Sequence, residues 1–340
     1  MRIMKRAALL LTILFAACGP ILPIENPFQV PENEFQTDTA LKSLRIIVLD
    51  VGQGDATLVI GPTGRTLLID GGPPETGSPV VLEKLAEEGI ESLDWIVASH
   101  YDIDHIGGLP TILERYPPTI SLLDRGDQTT QDHPLFSDYI EIGGSFRETA
   151  EPGQVLPLGV GAEAVILMVN GHYRDGRRVA TSEENEASIV LLIRYGNFTY
   201  LTTGDLPGDG EDSRDLESHL AELVGDVDIL HVGHHGSNSS TGERFLSLIR
   251  PETAVISVGR DNPYNHPAEG VLARLRQIGS EIYRTDLHGT IEIDSDGELP
   301  YISTKTTQTH SRVVGARLAE IARQPTVPPA ENVSETVSFP

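Results

Sequence analysis

The chain has 340 residues, 39% of them hydrophobic, with 50 Asp and Glu against 25 Lys and Arg for a formal charge of −25. That suits a globular protein with a sizeable core, of one large domain or two small ones. So acidic a surface repels polyanions at long range and weighs against avid, non-specific nucleic-acid binding, which needs many Lys and Arg contacts to phosphate.

In chain order the first element is a leader. "MRIMKR" supplies three positive charges, and "AALLLTILFAA" supplies an apolar run too short to span a bilayer comfortably. The run ends in small residues at "FAACGP", so residues 1–17 are expected to be a signal peptide. Cys18, the only cysteine in the chain, follows "FAA" directly and has no disulfide partner within the chain. The arrangement resembles a bacterial lipoprotein signal, with Phe15 where Leu is commoner, and implies lipidation of Cys18 and attachment to the cell membrane or outer membrane. Losing Arg2, Lys5 and Arg6 with the leader takes the formal charge from −25 to about −28. Residues 18–42, with prolines at 20, 23, 27 and 31, read as a tether between lipid and domain.

The folded domain is expected over residues 43–303. "LRIIVLDVGQGDATLVIGPTGRTLLIDGG" predicts three strands joined by tight turns. "SPVVLEKLAEEGI" predicts a helix, "DWIVAS" a buried strand and "GGLPTILERY" a second helix. Strands recur at "TISLLD", "AVILMV", "SIVLLIRYG" and "FTYLTTG". Helix and strand then alternate from "DSRDLESHLAELV" through "VDILHVG", "TGERFLSLI", "TAVISVG" and "EGVLARLRQIG" to the strands "EIYRT" and "GTIEID". This is layered α/β structure, with no evident internal sequence repeat. Residues 304–340 carry one weak helix, "SRVVGARLAEIA", and a tail of disordered composition.

The chemistry-bearing residues follow the apolar strands. In "SHYDIDHIGG", His100, Asp102 and Asp104 fall at i, i+2 and i+4, and His105 comes next. In an extended segment the first three point the same way, and a turn into the following helix brings His105 round. Imidazole nitrogen and carboxylate oxygen both suit Zn²⁺ and Mn²⁺, whereas two confined Asp without a cation repel each other. Asp205 ends the strand "FTYLTTGD", where it can bridge two metals or simply serve a turn. "DILHVGHHGS" adds His231, His234 and His235, of which one or two should reach the metals and at least one should be structural. Asp50, Asp55 and Asp70 lie beside glycines, where turn chemistry competes with orienting a metal-binding His. Asp104 and His266 are the candidate catalytic residues. Arg174, Asn262, Tyr264 and His266 are the candidate substrate contacts, Arg174 because it shares the loop "GHYRDGRR" with Arg177 and Arg178 in an otherwise acidic chain. His288, in a turn before a strand, is either an oxyanion donor or structural.

The ordered set "DVGQGDA", "LLIDGG", "SHYDIDHIGG", "TTGD", "HVGHHGS" and "YNHP" resembles the metallo-β-lactamase fold hydrolases. The closer match is the subgroup found as the soluble hydrolase domain of ComEC-type competence channels, and the resemblance covers about residues 44–303. It implies a four-layer αββα sandwich with a site for two divalent metal ions, Zn²⁺ or Mn²⁺, at one sheet edge. It gives His100 and Asp102 to one metal, Asp104 and His105 to the other, Asp205 as the bridge, and His234 to complete the second site with His235 as its alternate. The wider fold has a further His before the bridging Asp. His133 and His172 lie in that interval without matching context, and the segment from Asn185 to Ser188 stands there instead, with Asn185 beside the ligands. Asp102 in place of a third histidine makes the first site harder and more negative, which favours water and phosphate oxygen.

The function expected is a secreted, membrane-anchored hydrolase, cleaving phosphodiester bonds in a small or polymeric substrate. The alternatives are a β-lactam or lactone hydrolase on the same fold and a non-catalytic surface-binding lipoprotein. An extracellular nuclease is a further possibility, against which the net charge counts. No stretch beyond the leader is long and apolar enough to cross a membrane, so the resemblance does not carry DNA transport with it.

Overall fold

The structure, a computed structural model, describes residues 43–126, 134–209 and 213–304 and the backbone of residues 311–312. The leader, Cys18, the tether, His133 and all of the expected C-terminal helix but its first two residues lie outside the described residues, and those two, Ser311 and Arg312, are strand rather than helix because they pair with Tyr301 and Ile302. Two sheets pack face to face. The first is built from β1 (Leu44–Val48), β2 (Thr57–Ile60), β3 (Thr66–Ile69), β4 (Trp95–Val97), β5 (Ser121–Asp124) and β6 (Arg147–Thr149). The second holds β7 (Val155–Gly159), β8 (Ala162–Val169), β9 (His172–Tyr173), β10 (Val190–Tyr195), β11 (Phe198–Thr202), β12 (Ile229–His231), β13 (Thr253–Ile256) and β14 (Glu281–Arg284). β15 (Ile291–Ser295), β16 (Pro300–Thr304) and β17 (Ser311–Arg312) then return to the first sheet beside β1.

The two halves repeat one topology that no sequence repeat announces. β1 to β3 are antiparallel, and β3 to β6 are parallel, joined by α1 (Gly77–Glu87), by α2 (Ile103–Ile106) with α3 (Leu109–Arg115), and by α4 (Pro134–Gly143). Likewise β7, β8, β10 and β11 are antiparallel, and β11 to β14 are parallel, joined by α5 (Glu217–Val224), α6 (Glu243–Ile249) and α7 (Glu269–Gln277). Parallel strands need crossovers, and their helices cover the outer faces.

Burial follows the strand period of two. Ile46 and Val48 of β1 and Leu191 and Ile193 of β10 join one core between the sheets. Their neighbours Ile47 and Leu49 turn to the layer of α1 to α4, and Val190 and Leu192 turn to the layer of α5 to α7. Three apolar layers between four structural ones make the αββα sandwich. Asp205, His100, His105, His234 and His235 lie past the carboxyl ends of the parallel strands, where open α/β sheets bind ligands.

Candidate metal centre

The loop after β4 and the turn into α2 hold His100, Asp102, Asp104 and His105. Backbone bonds fix this segment: Asp55 N donates to Asp104 O and Gly71 N to His105 O, at 3.0 and 2.7 Å. Both approaches need glycine, since a Cβ on Gly54 would strike Asp104 O and one on Gly108 would strike Gly71 O. The second sheet is tied in by Ile189 N donating to Ser99 O at 2.8 Å, and within that sheet His234 N donates to Gly204 O at 3.1 Å.

Three imidazoles are oriented from behind. His105 Nδ1 lies 2.8 Å from Asp70 Oδ2, and His235 Nδ1 lies 3.0 Å from Ser257 O. Ser99 Oγ donates to Asp70 Oδ2 at 2.7 Å, which leaves its lone pairs for His100 Nδ1 at 3.0 Å. With each Nδ1 assigned as the donor, each Nε2 carries a lone pair. His100 Nε2 is buried and has no hydrogen-bond partner among the described residues. His105 Nε2 and His235 Nε2 face each other at 3.3 Å. Two lone pairs cannot bond one another, and ligand atoms around a tetrahedral ion stand about 3.4 Å apart. The donor set therefore fits a divalent cation.

Carboxylates close the set. Asp104 Oδ2 is 3.3 Å from His235 Nε2, and Asp205 Oδ1 is 3.3 Å from His105 Nε2. Asp205 Oδ2 lies among three further imidazoles, 3.6 Å from His234 Nε2, 3.8 Å from His235 Nε2 and 3.9 Å from His100 Nε2, and Asp102 Oδ2 is 3.6 Å from His100 Nε2. Two groups of candidate ligands result, His100 with His105 and Asp205, and Asp104 with His105 and His235. The electrostatics agree. Burial opposes charge on Asp205, but His105, His235 and His234 hold its carboxyl well below the usual range. Burial likewise opposes charge on Asp104, and His235 and His105 hold it at about 2. Burial alone would lower His105, yet Asp205 and Asp70 raise it. His235, equally buried, is carried to about 9 by Asp205 and Asp104. Metal-free, the pocket attracts protons for the reason that it would attract a cation.

Several sequence expectations change. His235, not His234, stands with Asp104 and His105, because the turn after β12 puts the two rings on different sides. His231 is outside the cluster, with Nε2 3.0 Å from Asp55 Oδ2 and Nδ1 2.9 Å from Tyr200 Oη. The Asp55 carboxylate thus faces His231 rather than a ligand imidazole, whereas Asp70 contacts His105 directly. Asn185 Nδ2 flanks the His234 ring at 3.4 Å. Asn262 is not a free substrate contact. Its Nδ2 donates to Gly259 O and His266 O, and its Oδ1 accepts from Tyr264 N and His266 N, which holds the loop of His266. His266 stacks on the exposed Tyr264 and meets His234 edge-on at 5.8 Å. His288 Nδ1 lies 2.9 Å from Arg284 N and O, a local contact.

A cleft of about 760 Å³ opens over Asp102, Asp205 and His234. Arg174 is exposed and does not line it. Arg214 does, along with Glu183, Glu186 and Ser239. Arg214 Nη1 donates to Ala180 O at 2.7 Å and lies 3.2 Å from both oxygens of Glu186. Sequence reasoning passed over Arg214 because it precedes α5 alone, with no second basic residue near it.

Residues 49–260 match the Metallo-beta-lactamase superfamily. The chain belongs to that family. It is 31% identical over 262 residues to ComE operon protein 3 of Bacillus subtilis (strain 168), covering 72% of this chain and 32% of that protein. It is also 31% identical over 278 residues to Recombination protein 2 of Haemophilus influenzae, covering 80% of this chain and 32% of that protein. The chain thus spans about a third of the length of these relatives. Among solved structures, the metallo-beta-lactamase fold protein YhfI from Bacillus subtilis superposes with a TM-score of 0.47 at 14% identity, over 73% of this chain and 99% of that one. The chain is thus a metallo-beta-lactamase superfamily hydrolase with His and Asp groups placed to hold a metal ion.

Proposed function

We propose that this chain is a hydrolase of phosphodiesters that works with two divalent ions, Zn²⁺ or Mn²⁺. The observation that carries the reading is the central place of the Asp205 carboxylate, with Oδ1 3.3 Å from His105 Nε2 and Oδ2 3.6 to 3.9 Å from the Nε2 atoms of His234, His235 and His100. Bound there, the ions would supply an acidified water and offset charge on the oxygens of the reacting group. The chain's own groups do the rest. Asp70, Ser99 and Ser257 hold the imidazoles with Nε2 forward. Asp104 stays ionised and serves by holding positive charge rather than by taking a proton. Burial, with His234 and His235 nearby, pushes His266 down to about 4. At neutral pH it is an uncharged hydrogen-bond donor to a developing oxyanion, not a proton donor to the leaving group. Arg214 presents a planar guanidinium at the cleft wall, suited to a phosphate. Two acids beside it, Glu183 and Glu186, favour a compact substrate over a long polyanion.

The test is hydrolysis by the full chain of bis(p-nitrophenyl) phosphate, a phosphomonoester, a β-lactam, a lactone and single-stranded DNA. Diester turnover that Asp205→Ala reduces at least about 100-fold supports the reading. Turnover of the β-lactam or lactone without the diester overturns it. The proposal includes export and lipid attachment at Cys18. Palmitate labelling in a bacterial host that Cys18→Ser abolishes is the expected result, and labelling unchanged by that substitution counts against it. Among the described residues no helix is long and apolar enough to cross a membrane.

A further inference from the structure

We infer that His234 completes the first metal position, in place of the further histidine for which the interval before Asp205 offers no matching context; this rests on the two-ion reading above. The turn Gly233–Gly236 holds two adjacent histidines in the left-handed region, at φ 50° and 53°. Such a conformation costs roughly 1–3 kcal/mol per non-glycine residue and persists where surrounding bonds impose it. Here His234 N donates to Gly204 O, and Ser237 N donates to His234 O at 2.8 Å. The result is two rings with centroids 6.3 Å apart and planes 69° apart. His235 enters the pocket of Asp104 and His105. His234 lines the cleft beside Asp205, whose Oδ2 also lies 3.8 Å from His235 Nε2.

There its Nε2 meets Asp205 Oδ2 at 3.6 Å. The same oxygen lies 3.9 Å from the partnerless His100 Nε2, which is itself 3.6 Å from Asp102 Oδ2. His100 Nε2, Asp102 Oδ2, Asp205 Oδ2 and His234 Nε2 make two nitrogens and two oxygens linked by steps only slightly wider than the roughly 3.4 Å of a tetrahedral shell. Ser239 Oγ, 2.9 Å from His234 Nδ1, fixes the ring's rotation, and Asn185 flanks it. The side chain is 26% exposed and lines the cleft. With this fourth group the first position is nearly closed. It is thereby set apart from the catalytic zinc sites in which three protein ligands leave one place open.

The test counts ions rather than turnover. The full chain is loaded with Zn²⁺ by equilibrium dialysis, and bound metal is measured together with titration affinities. His234→Gly is the main variant, because glycine accepts the left-handed backbone and the turn survives. His234→Gln is the second. Wild type is expected to hold two ions, and both variants one. In His234→Gly, free imidazole in the dialysis buffer should restore the second. Variants that keep two ions with affinities within about twofold of wild type overturn the assignment while leaving the two-ion reading intact. A wild type that holds a single ion overturns that reading, and this assignment with it.

Discussion

The chemistry of the cluster is decided at the atoms behind it. Asp70 accepts from Ser99 N and Ser99 Oγ, each at 2.7 Å, and from His105 Nδ1 at 2.8 Å. Converting it to Asn puts an amide donor among three donors and frees the His105 ring to rotate. Asp70→Asn is expected to weaken metal binding about 10- to 100-fold, the usual cost of losing a group that orients a ligand. Competition against a chromophoric chelator measures it, and unchanged affinity would show the contact to be incidental. Much of this was legible in the spacing of "SHYDIDH", because ligand-type side chains at the end of a buried strand have few other reasons to crowd. The choice between His234 and His235 was not legible. It depends on two positive φ angles that nothing in "GHHG" announces. Nor could sequence show that Asn262 spends every polar atom on its own loop, since those partners are backbone atoms.

Among the elements, the short turn Asn185–Ala187 before β10 is clamped to the first sheet from one side. Glu184, buried, accepts from Arg125 Nε at 2.6 Å and from Tyr101 N at 2.9 Å, and the Arg125 guanidinium lies 4.2 Å from the Tyr101 ring centre. Removing one member of a buried ion pair leaves the other uncompensated and costs about 3–5 kcal/mol. Glu184→Gln is expected to lower stability toward that range in urea denaturation, and a loss under about 1 kcal/mol would contradict the clamp. Helix α5 offers a pH test. Burial pushes the Glu217 carboxyl up to about 8 despite bonds from Thr241 N and Gly242 N at 2.9 and 3.0 Å. A carboxyl whose folded pKa exceeds its unfolded value binds more protons when folded. Its contribution is then full below about 4.5 and is lost as pH rises through 8. Denaturation of the metal-free protein should therefore show stability falling between pH 5 and pH 8, and Glu217→Gln should flatten that slope. A slope that the substitution leaves unchanged would refute the assignment to Glu217.

Across the whole molecule, ligands come from both halves, so bound metal stabilises the folded form by mass action. At a free concentration of 100 times Kd, one site adds about 2.7 kcal/mol. Chelation with EDTA is expected to lower Tm, and a Tm indifferent to EDTA would mean that no ion occupies the folded protein. The fold itself was largely legible: β-branched runs, helical spacing and glycine-rich turns placed most elements and the layered class. The strands β6, β7 and β9 and the helix α4 were not separated, because they are short or polar and take their structure from neighbours in the sheet or layer. The repeated topology was invisible, since the two halves share an order of strands and no residues.

That order has a consequence for how the protein can be cut. His100, Asp102, Asp104 and His105 precede the connection from β6 to β7, and Asp205, His234, His235 and His266 follow it. A single nick at the turn of the exposed Glu151, half-buried Pro152 and exposed Gly153 would divide the donor atoms between two polypeptides, neither of which holds a complete centre. Tight metal binding would then report reassembly of the two pieces, each silent until it meets its complement.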